Sequence, residues 1–324
     1  MSLTHTFQLG RFRCHTLEGG GQHLDGGAMF GVVPKPLWSR RIAPDERNRI
    51  PLAMRCLLVE HPDGLVLIDT ALGNKEDEKF LDIYGIENLG IRGPTQLDDA
   101  LLEVGVRSED IRTVVNTHLH FDHAGGNTLR NRRKGAADER GYAGDEVSFG
   151  LSDRPPAIAF PNATYVVQRG ELEFARRTNE RTRASYLPHN FEPVAEAGRW
   201  RLLEGDVEIV PGISVRLTPG HVPYHQSVLL RSAGETAIFL GDIIPTSSHL
   251  PLPYIMGYDL EPLRTLESKR SLLERAESEG WLLIFEHDPV VAMGRAVAEG
   301  KGVGLAEAVM VGAEKAERTE KAEG

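Results

Sequence analysis

The sequence predicts an α/β fold in which two β-sheets are sandwiched between helices. Three observations predict it. The chain has two β-rich halves with helices interspersed. No linker or composition break separates independent cores. Strand and helix do not alternate throughout, as a doubly wound parallel sheet would require. Residues 1–310 then read as one domain, with a long excursion over 128–200 inside it and a polar tail over 311–324.

The elements follow in order. "RCLLVEH" (55–61) and "GLVLIDTAL" (64–72) flank "PDG", a strong turn signal, and read as a hairpin. "TQLDDALLEVGV" (95–106) has helical spacing, with Thr95 as N-cap and Leu97, Ala100, Leu101 and Val104 on one face. "DIRTVVNT" (110–117) is a buried-looking strand running directly into a histidine cluster. The next stretch is polar and rich in Gly and Pro, so the excursion has little regular structure of its own. Within it, "TYVVQ" (164–168) is a strand and "GELEFARRTNERTRAS" (170–185) a helix. A β-rich half follows in "RWRLLEG", "VEIVPGISVRLTPGH" and "HQSVLLRSAGETAIFLGD", with "GETA" as the last hairpin turn. Residues 262–280 form an amphipathic helix that stops at Gly280, where a C′ glycine belongs. "WLLIFEHD" (281–288) is a final buried strand, and the stretch from 306 starts helical and ends as a frayed terminus.

Composition narrows the function. Hydrophobic residues make up 40% and charged residues 26% of 324 positions, ordinary for a globular chain able to bury a large core. A net charge of −10 speaks against a general binder of nucleic acid or anionic membrane, whose footprint is basic. The one basic cluster, "LRNRRKG" (129–135), lacks interleaved aromatic residues and reads as a solvated loop. Cys14 and Cys56 form no CxxC pair and read as small buried or half-buried thiols. The N-terminus has no apolar run fit for a signal peptide, and no stretch approaches a membrane span. The expectation is a cytoplasmic protein acting on a small molecule, with no nucleic-acid or membrane partner.

"VVNTHLHFDHAGGN" (114–127) packs three of the chain's 12 histidines and an aspartate into six positions. Imidazoles crowded this way repel one another when protonated, so the spacing needs a cause. His118 and His120 are two apart and lean toward one point in an extended turn. Asp122 and His123 lie beyond it, where the chain turns at "AGG", and address a second point. A solvated loop needs no three histidines, and structural histidines occur singly. Metal ligation accounts for the pattern. Further ligands are offered at strand ends by His221 in "RLTPGHVPYHQ", Asp242 in "AIFLGDIIP" and His287 in "LLIFEHDP". A charged or imidazole side chain at the mouth of a buried strand is poor core material. Taken singly, each reads as a satisfied structural residue; together with the upstream cluster they read as a site.

The order H-x-H-x-D-H, "TPGH", "GD" and a late histidine after a strand resembles the metallo-β-lactamase superfamily over roughly residues 50 to 290. "LIDTALGN" resembles that superfamily's strand-and-turn "DTG" element. "TPGHVPYHQS", "THLHFDHAGG" and "RASYLPHNFEPV" are similar to its N-acyl-homoserine lactonase branch, whose broadly hydrolytic members include organophosphate and aryl-ester hydrolases. The resemblance implies an αβ/βα four-layer sandwich, two mixed sheets between helices, with the metals at one edge. It implies two divalent metal ions, zinc first among them, with manganese, iron and cobalt also suited to these donors. One would be held by His118, His120 and His221, the other by Asp122, His123 and His287, with Asp242 bridging.

The implied reaction is hydrolysis by a metal-bridging hydroxide, opening a small lactone or cleaving an ester. Asp242 and Asp122 are the catalytic candidates, Asp122 as carrier of a proton to the leaving group. Organophosphate or phosphodiester hydrolysis is the alternative, because the same nucleophile attacks phosphorus. A non-catalytic metal-binding scaffold is the alternative of another class. Zinc β-lactamases carry Cys where this chain has Asp242, and the family's iron flavoproteins carry Glu where it has His120. The lactonases' tyrosine three positions after the bridging aspartate is here Pro245, and Tyr186, Tyr254 and Tyr258 are the spatial substitutes.

Outside the ligand set, Asp69 either fixes a ligand histidine or the motif loop, or serves a structural turn. His225 either orients the site or makes structural hydrogen bonds. His249 lines the pocket or is exposed. Met29 and Phe30, exposed-looking in the glycine-rich "DGGAMFGVVPKPLW" (25–38), belong to a lid over the substrate or to a homodimer contact.

Overall fold

The computed structural model describes residues 2–130, 132–134, 147–151, 155–300 and 302–311. Most of the basic run at 129–135 and the tail beyond 311 lie outside the described residues or their side chains. In chain order the first half comprises β1 (Thr4–Leu9), β2 (Phe12–Asp25), the helical turns α1 (Gly26–Phe30) and α2 (Lys35–Trp38), and β3 (Arg49–Glu60). Then come β4 (Leu65–Ile68), α3 (Glu78–Tyr84), α4 (Gln96–Glu103) and β5 (Ile111–Val115). The turn α5 (Phe121–Ala124) and the short ribbons β6 (Thr128–Leu129), β7 (Arg132–Lys134), β8 (Val147–Leu151) and β9 (Ala157–Ile158) follow. They lead to β10 (Thr164–Gln168), α6 (Arg169–Ala175), α7 (Glu192–Glu196) and β11 (Trp200–Leu203). The second half holds β12 (Val207–Val210), β13 (Ile213–Leu217), β14 (Gln226–Ser232), β15 (Glu235–Phe239) and α8 (Pro262–Glu279). It closes with β16 (Leu282–Ile284), β17 (Val291–Glu299) and β18 (Gly302–Met310).

Two seven-stranded sheets result, ordered β1-β2-β3-β4-β5-β10-β11 and β12 through β18 in succession. The first is antiparallel up to β4 and parallel from β4 onward. The second is antiparallel except for the β15–β16 pair. Both are mixed, as expected.

The layering follows from side chains alternating across each strand. Leu57 and Val59 of β3, with Val66 and Ile68 of β4, face Val228, Leu230 and Phe239 of the second sheet in one shared core. The alternate residues Met54, Cys56 and Leu58 turn outward and pack on Leu97, Ala100 and Leu101 of α4. On the far side Leu229, Ile238 and Leu283 pack on Leu272, Leu273 and Ala276 of α8. Strands buried on both faces read as continuous apolar runs rather than alternating ones, which is how these strands read in sequence. Both cysteines are free and buried, as expected. The expected caps are present too: Thr95 and Asp98 form a capping box on α4, and Gly280 ends α8 in the left-handed conformation at φ 64°.

Several expected elements differ. The helix expected over 170–185 ends at Ala175. Asn179 accepts from the backbone N–H groups of Arg181 and Thr182, and this side-chain turn competes with the helix. The excursion is shorter than 128–200, because β10 slots in parallel beside β5 and carries β11 into the first sheet. The final hairpin turns at Ala233-Gly234, both at positive φ, so most of "GETA" is strand. Residues 306–310 are strand, not helix: pairing with the open edge of β17 satisfies their backbone and overrides the helix preference of Ala and Glu. Met29 and Phe30 are buried rather than exposed, with Phe30 stacked between Trp38 at 5.5 Å and His249 at 4.6 Å.

The strand directions gather chemistry at one edge. Segments leaving the carboxyl ends of β4, β5, β13, β15 and β16 carry Asp69, His118 to His123, His221, Asp242 and His287. Open α/β sheets bind ligands at such edges.

Candidate metal centre

The histidine motif is shaped by its surroundings before any ligand is considered. Asp69, at φ 54°, accepts from the Thr117 backbone N–H at 2.8 Å and from its hydroxyl at 2.6 Å. This ties the end of β4 to the start of the motif loop. The glycines after the motif are required by close approach: a Cβ on Gly125 would lie 2.0 Å from the Leu72 carbonyl oxygen, and one on Gly126 2.0 Å from that of Thr70. The buried Lys75 ammonium donates to the carbonyls of Gly125 and Thr128, closing the loop.

The seven candidate ligands come together. One group holds His118, His120, His221 and Asp242, and another holds Asp122, His123 and His287; the donor atoms within each group lie within 4.8 Å of one another. Asp242 stands between the groups. Its Oδ2 is 3.1 Å from His221 Nε2 and 4.0 Å from His118 Nε2. Its Oδ1 is 3.0 Å from His287 Nε2 and 3.6 Å from His123 Nε2. Asp122 lies 3.7 Å from both His123 Nε2 and His287 Nε2. Imidazole nitrogens face one another directly, His221 Nε2 against His120 Nδ1 at 3.1 Å and His287 Nε2 against His123 Nε2 at 3.2 Å.

The rear nitrogens are held. His118 Nδ1 meets the Thr117 hydroxyl at 3.1 Å, His221 Nδ1 the Asp259 carboxylate at 2.9 Å, and His287 Nδ1 the Ala53 carbonyl at 2.7 Å. His123 Nδ1 faces Asp69 at 3.2 Å and Glu286 at 3.0 Å. Such partners fix ring orientation and aim the front nitrogen.

Electrostatics sort the group. Burial and then the charges of neighbouring histidines push His118 and His120 well below the usual range, leaving them neutral with free lone pairs. Burial would lower His287 too, but the Asp242 carboxylate lifts it to about 9. Burial opposes the charge of Asp242, yet His287, His221 and His123 hold it well below the carboxylate range. His118 Nε2 and Asp242 Oδ1 are buried without a hydrogen-bond partner. Converging imidazole nitrogens and carboxylate oxygens, some of them orphaned, are the donor chemistry of a borderline divalent cation, so these residues fit the metals that the sequence implies.

The remaining sequence candidates divide. Asp69 contacts His123 and ties down Thr117 at the start of the motif loop. His225 Nε2 accepts from the Asp242 backbone N–H at 3.0 Å, and burial, aided by the charge of His221, lowers it to about 3. His249 neither lines the cleft nor is exposed; it contacts the Met29 carbonyl at 2.8 Å and stacks on Phe30. Met29 lines the cleft, while Phe30 supports it from behind. The Pro245 carbonyl accepts from the His287 N–H. Of the three tyrosines, Tyr258 lines the cleft, Tyr186 packs on His120 and donates to Glu171, and Tyr254 packs on Phe30.

The cleft has a volume of about 490 Å³ with His120, Asp122, His221, Asp242 and His287 in its lining. Its other walls include the apolar Leu24, Leu52, Phe121 and Leu260, and polar groups on Tyr84, Tyr258, Arg181, Thr182 and Ser185. Sequence reasoning did not find Gln22, which donates to Asp122 at 2.6 Å from 100 positions away. It also missed Asp259, Glu286 and Glu171. Burial lifts the Glu171 carboxyl to about 7, and Glu171 accepts from Leu119 N–H between two candidate ligands. Glu171 carries a faint signal, an acid following the strand "TYVVQ", and Glu286 another, an acid directly after the apolar run "LLIF"; Gln22 and Asp259 carry none in isolation.

A family model described as the metallo-beta-lactamase superfamily matches residues 51–287. The N-acyl homoserine lactonase AiiA of Bacillus thuringiensis subsp. kurstaki is 28% identical over 245 residues, 73% of this chain and 82% of that protein. The N-acyl homoserine lactonase AttM of Azorhizobium caulinodans is 27% identical over 247 residues, 72% and 80% of the two chains. Among solved structures, a probable metal-dependent hydrolase from Staphylococcus aureus superposes with a TM-score of 0.78 at 28% identity, covering 94% of this chain and all of that one. AidC, a dizinc quorum-quenching lactonase, shares the fold with a TM-score of 0.71 at 18% identity, covering 94% and 98%. With its ligand-bearing strand ends, its two mixed sheets and a family match across most of its length, the chain belongs to the metallo-β-lactamase superfamily.

Proposed function

We propose that this protein is a dinuclear metal-dependent hydrolase that opens a small lactone or cleaves an ester. One observation carries the reading: the two oxygens of Asp242 face two separate histidine-bearing donor sets. His118, His120 and His221 would hold one divalent ion, Asp122, His123 and His287 the other, and Asp242 would serve both. Bound there, two such ions, zinc foremost, supply Lewis-acid activation of water and of a substrate carbonyl.

The chain's own residues supply the rest. His225 and the Asp242 N–H lock the shared carboxylate in place. Gln22 holds one oxygen of Asp122, which lines the cleft where a leaving group departs and is placed to carry a proton to it. Tyr258 lines the cleft, its hydroxyl protonated at neutral pH, and takes the carbonyl-assisting place that Pro245 cannot fill. The apolar walls exclude water and accept the hydrocarbon part of the substrate. The shared core between the two sheets supports one unit over 1–310.

Pro245 also favours a second reading, cleavage of phosphoesters at the same centre, because no tyrosine at that position ties the site to lactones. The test is metal analysis, chelation and zinc restoration, with lactones, aryl esters and phosphotriesters as substrates. The proposal expects two metal equivalents and chelator-sensitive turnover of lactones or esters. Turnover mainly of phosphotriesters establishes the second reading. Two bound metals with every substrate intact establish a non-catalytic scaffold and sink the enzyme.

A further inference from the structure

His123 differs from the other histidines of the centre in what stands behind it. His118 is backed by a hydroxyl, His287 by a carbonyl and His221 by one carboxylate. His123 Nδ1 faces two, Asp69 Oδ2 at 3.2 Å and Glu286 Oε2 at 3.0 Å, both fully buried. Asp69 is already occupied by the N–H and hydroxyl of Thr117. Glu286 has no hydrogen-bond partner on either oxygen apart from this approach to His123.

The position of Glu286 is not accidental slack. Arg55 donates to the carbonyls of Phe285 at 2.7 Å and Asp288 at 3.0 Å, and its backbone N–H to that of Glu286 at 3.1 Å. The segment is clamped from both sides, with the acid aimed at the imidazole. A carboxylate behind a ligand histidine raises its basicity and its hold on a metal. Beside the shared Asp242, three carboxylates serve the set of Asp122, His123 and His287, namely Asp122, Asp69 and Glu286; Asp259 alone serves the other.

We propose that Glu286 is a positioning residue that, together with Asp69, makes the Asp122–His123–His287 set the tighter of the two metal positions. The proposal rests on the dinuclear reading above. Zinc titration of the apoprotein against a competing chelator tests it. Wild type should show two binding steps. Glu286→Gln keeps the shape and removes the acid, and should weaken the tighter step by about 10–100-fold. Glu286→Asp, which keeps a carboxyl group, should lie closer to wild type. Asp259→Asn should weaken the other step. Apo Glu286→Gln should unfold at no lower denaturant concentration than apo wild type, which separates a role toward the metal from a role in folding. Unshifted zinc affinities in Glu286→Gln, or a shift confined to the step that Asp259→Asn moves, overturn the proposal. Failure of wild type to take up two zinc ions overturns the dinuclear reading itself and this proposal with it.

Discussion

Replacing Asp69 by Asn should destabilise the protein and loosen its metal at one position only. Asp69 is fully buried and accepts two hydrogen bonds from Thr117, at 2.8 and 2.6 Å, with His123 Nδ1 a third neighbour at 3.2 Å. A hydrogen bond to a charged acceptor contributes about 1.5–3 kcal/mol and a neutral one about 0.5–1.5. Asn keeps one acceptor oxygen and can donate to a rotated Thr117 hydroxyl, so two bonds drop from the charged to the neutral class. The loss is about 2–3 kcal/mol. Asp69→Ala, which leaves a buried N–H without an acceptor, should cost more. Urea unfolding of the apoprotein measures this without interference from bound metal, and the midpoint should fall by on the order of 1 M with the slope unchanged. Zinc content measured on the folded variant should drop toward one equivalent. An Asp69→Asn protein that unfolds at the wild-type midpoint and keeps two zinc ions would show that the network around Thr117 is not what holds the motif loop.

Three further outcomes follow from the same geometry. Chelation should lower the melting temperature, since ligands held by the native state alone stabilise it by about 4 kcal/mol at a thousand times Kd; an unchanged melting temperature contradicts metal binding. Tyr258→Phe should lower kcat roughly tenfold with KM little moved, the loss of one hydrogen bond, and an unchanged kcat removes Tyr258 from the reaction. Burial lowers the Lys75 amine from 10.5 to about 7, so between those values the unfolded chain binds the extra proton and Lys75 makes stability rise with pH. Below about pH 7 both states are protonated and its contribution is flat. The stability difference between Lys75→Met and wild type should therefore change across pH 7 to 10.5, and a flat difference refutes the assignment.

The parts of the site that sequence revealed are those encoded locally. His118 to His123 announce themselves because four donors within six positions have no other use. His221, Asp242 and His287 stand out because each follows an apolar strand directly. Gln22, Asp259 and Glu286 act only through tertiary contact: Gln22 reaches Asp122 from another strand, and Glu286 reads as part of a strand until His123 is seen beside it. The fold was legible where burial on two faces writes long apolar runs, as in β3, β14 and β15. It was misread where a competing force decides. Residues 306–310 are rich in helix formers, yet the open edge of β17 draws them into strand. Met29 and Phe30 look exposed in a glycine-rich segment, yet the turn α1 drives both inward against Trp38 and His249.

The centre also bears on how the two sheets stay together. His118, His120, Asp122 and His123 leave the first sheet; His221, Asp242 and His287 leave the second. Each donor set draws on both, so neither position can be completed by one half of the chain. The apolar core fastens the sheets along their inner faces. At the edge where the strands end, that core gives way to imidazoles and carboxylates, which contribute little to docking unless something joins them. The chain adds its own cross-links there: the Ala53 N–H donates to the His287 carbonyl, the Arg55 guanidinium clamps residues 285 and 288, and the Gln226 N–H donates to the Thr117 carbonyl. Ties of this kind hold the two donor sets against each other through the fold alone, ahead of the cations proposed for them. Ordering that would otherwise oppose binding is then already done by the fold, as preorganisation requires. The proposed centre, assembled across a sheet–sheet seam, is accordingly a site and a fastening at once, and substitution of Arg55, whose guanidinium makes two of these ties, should act on both.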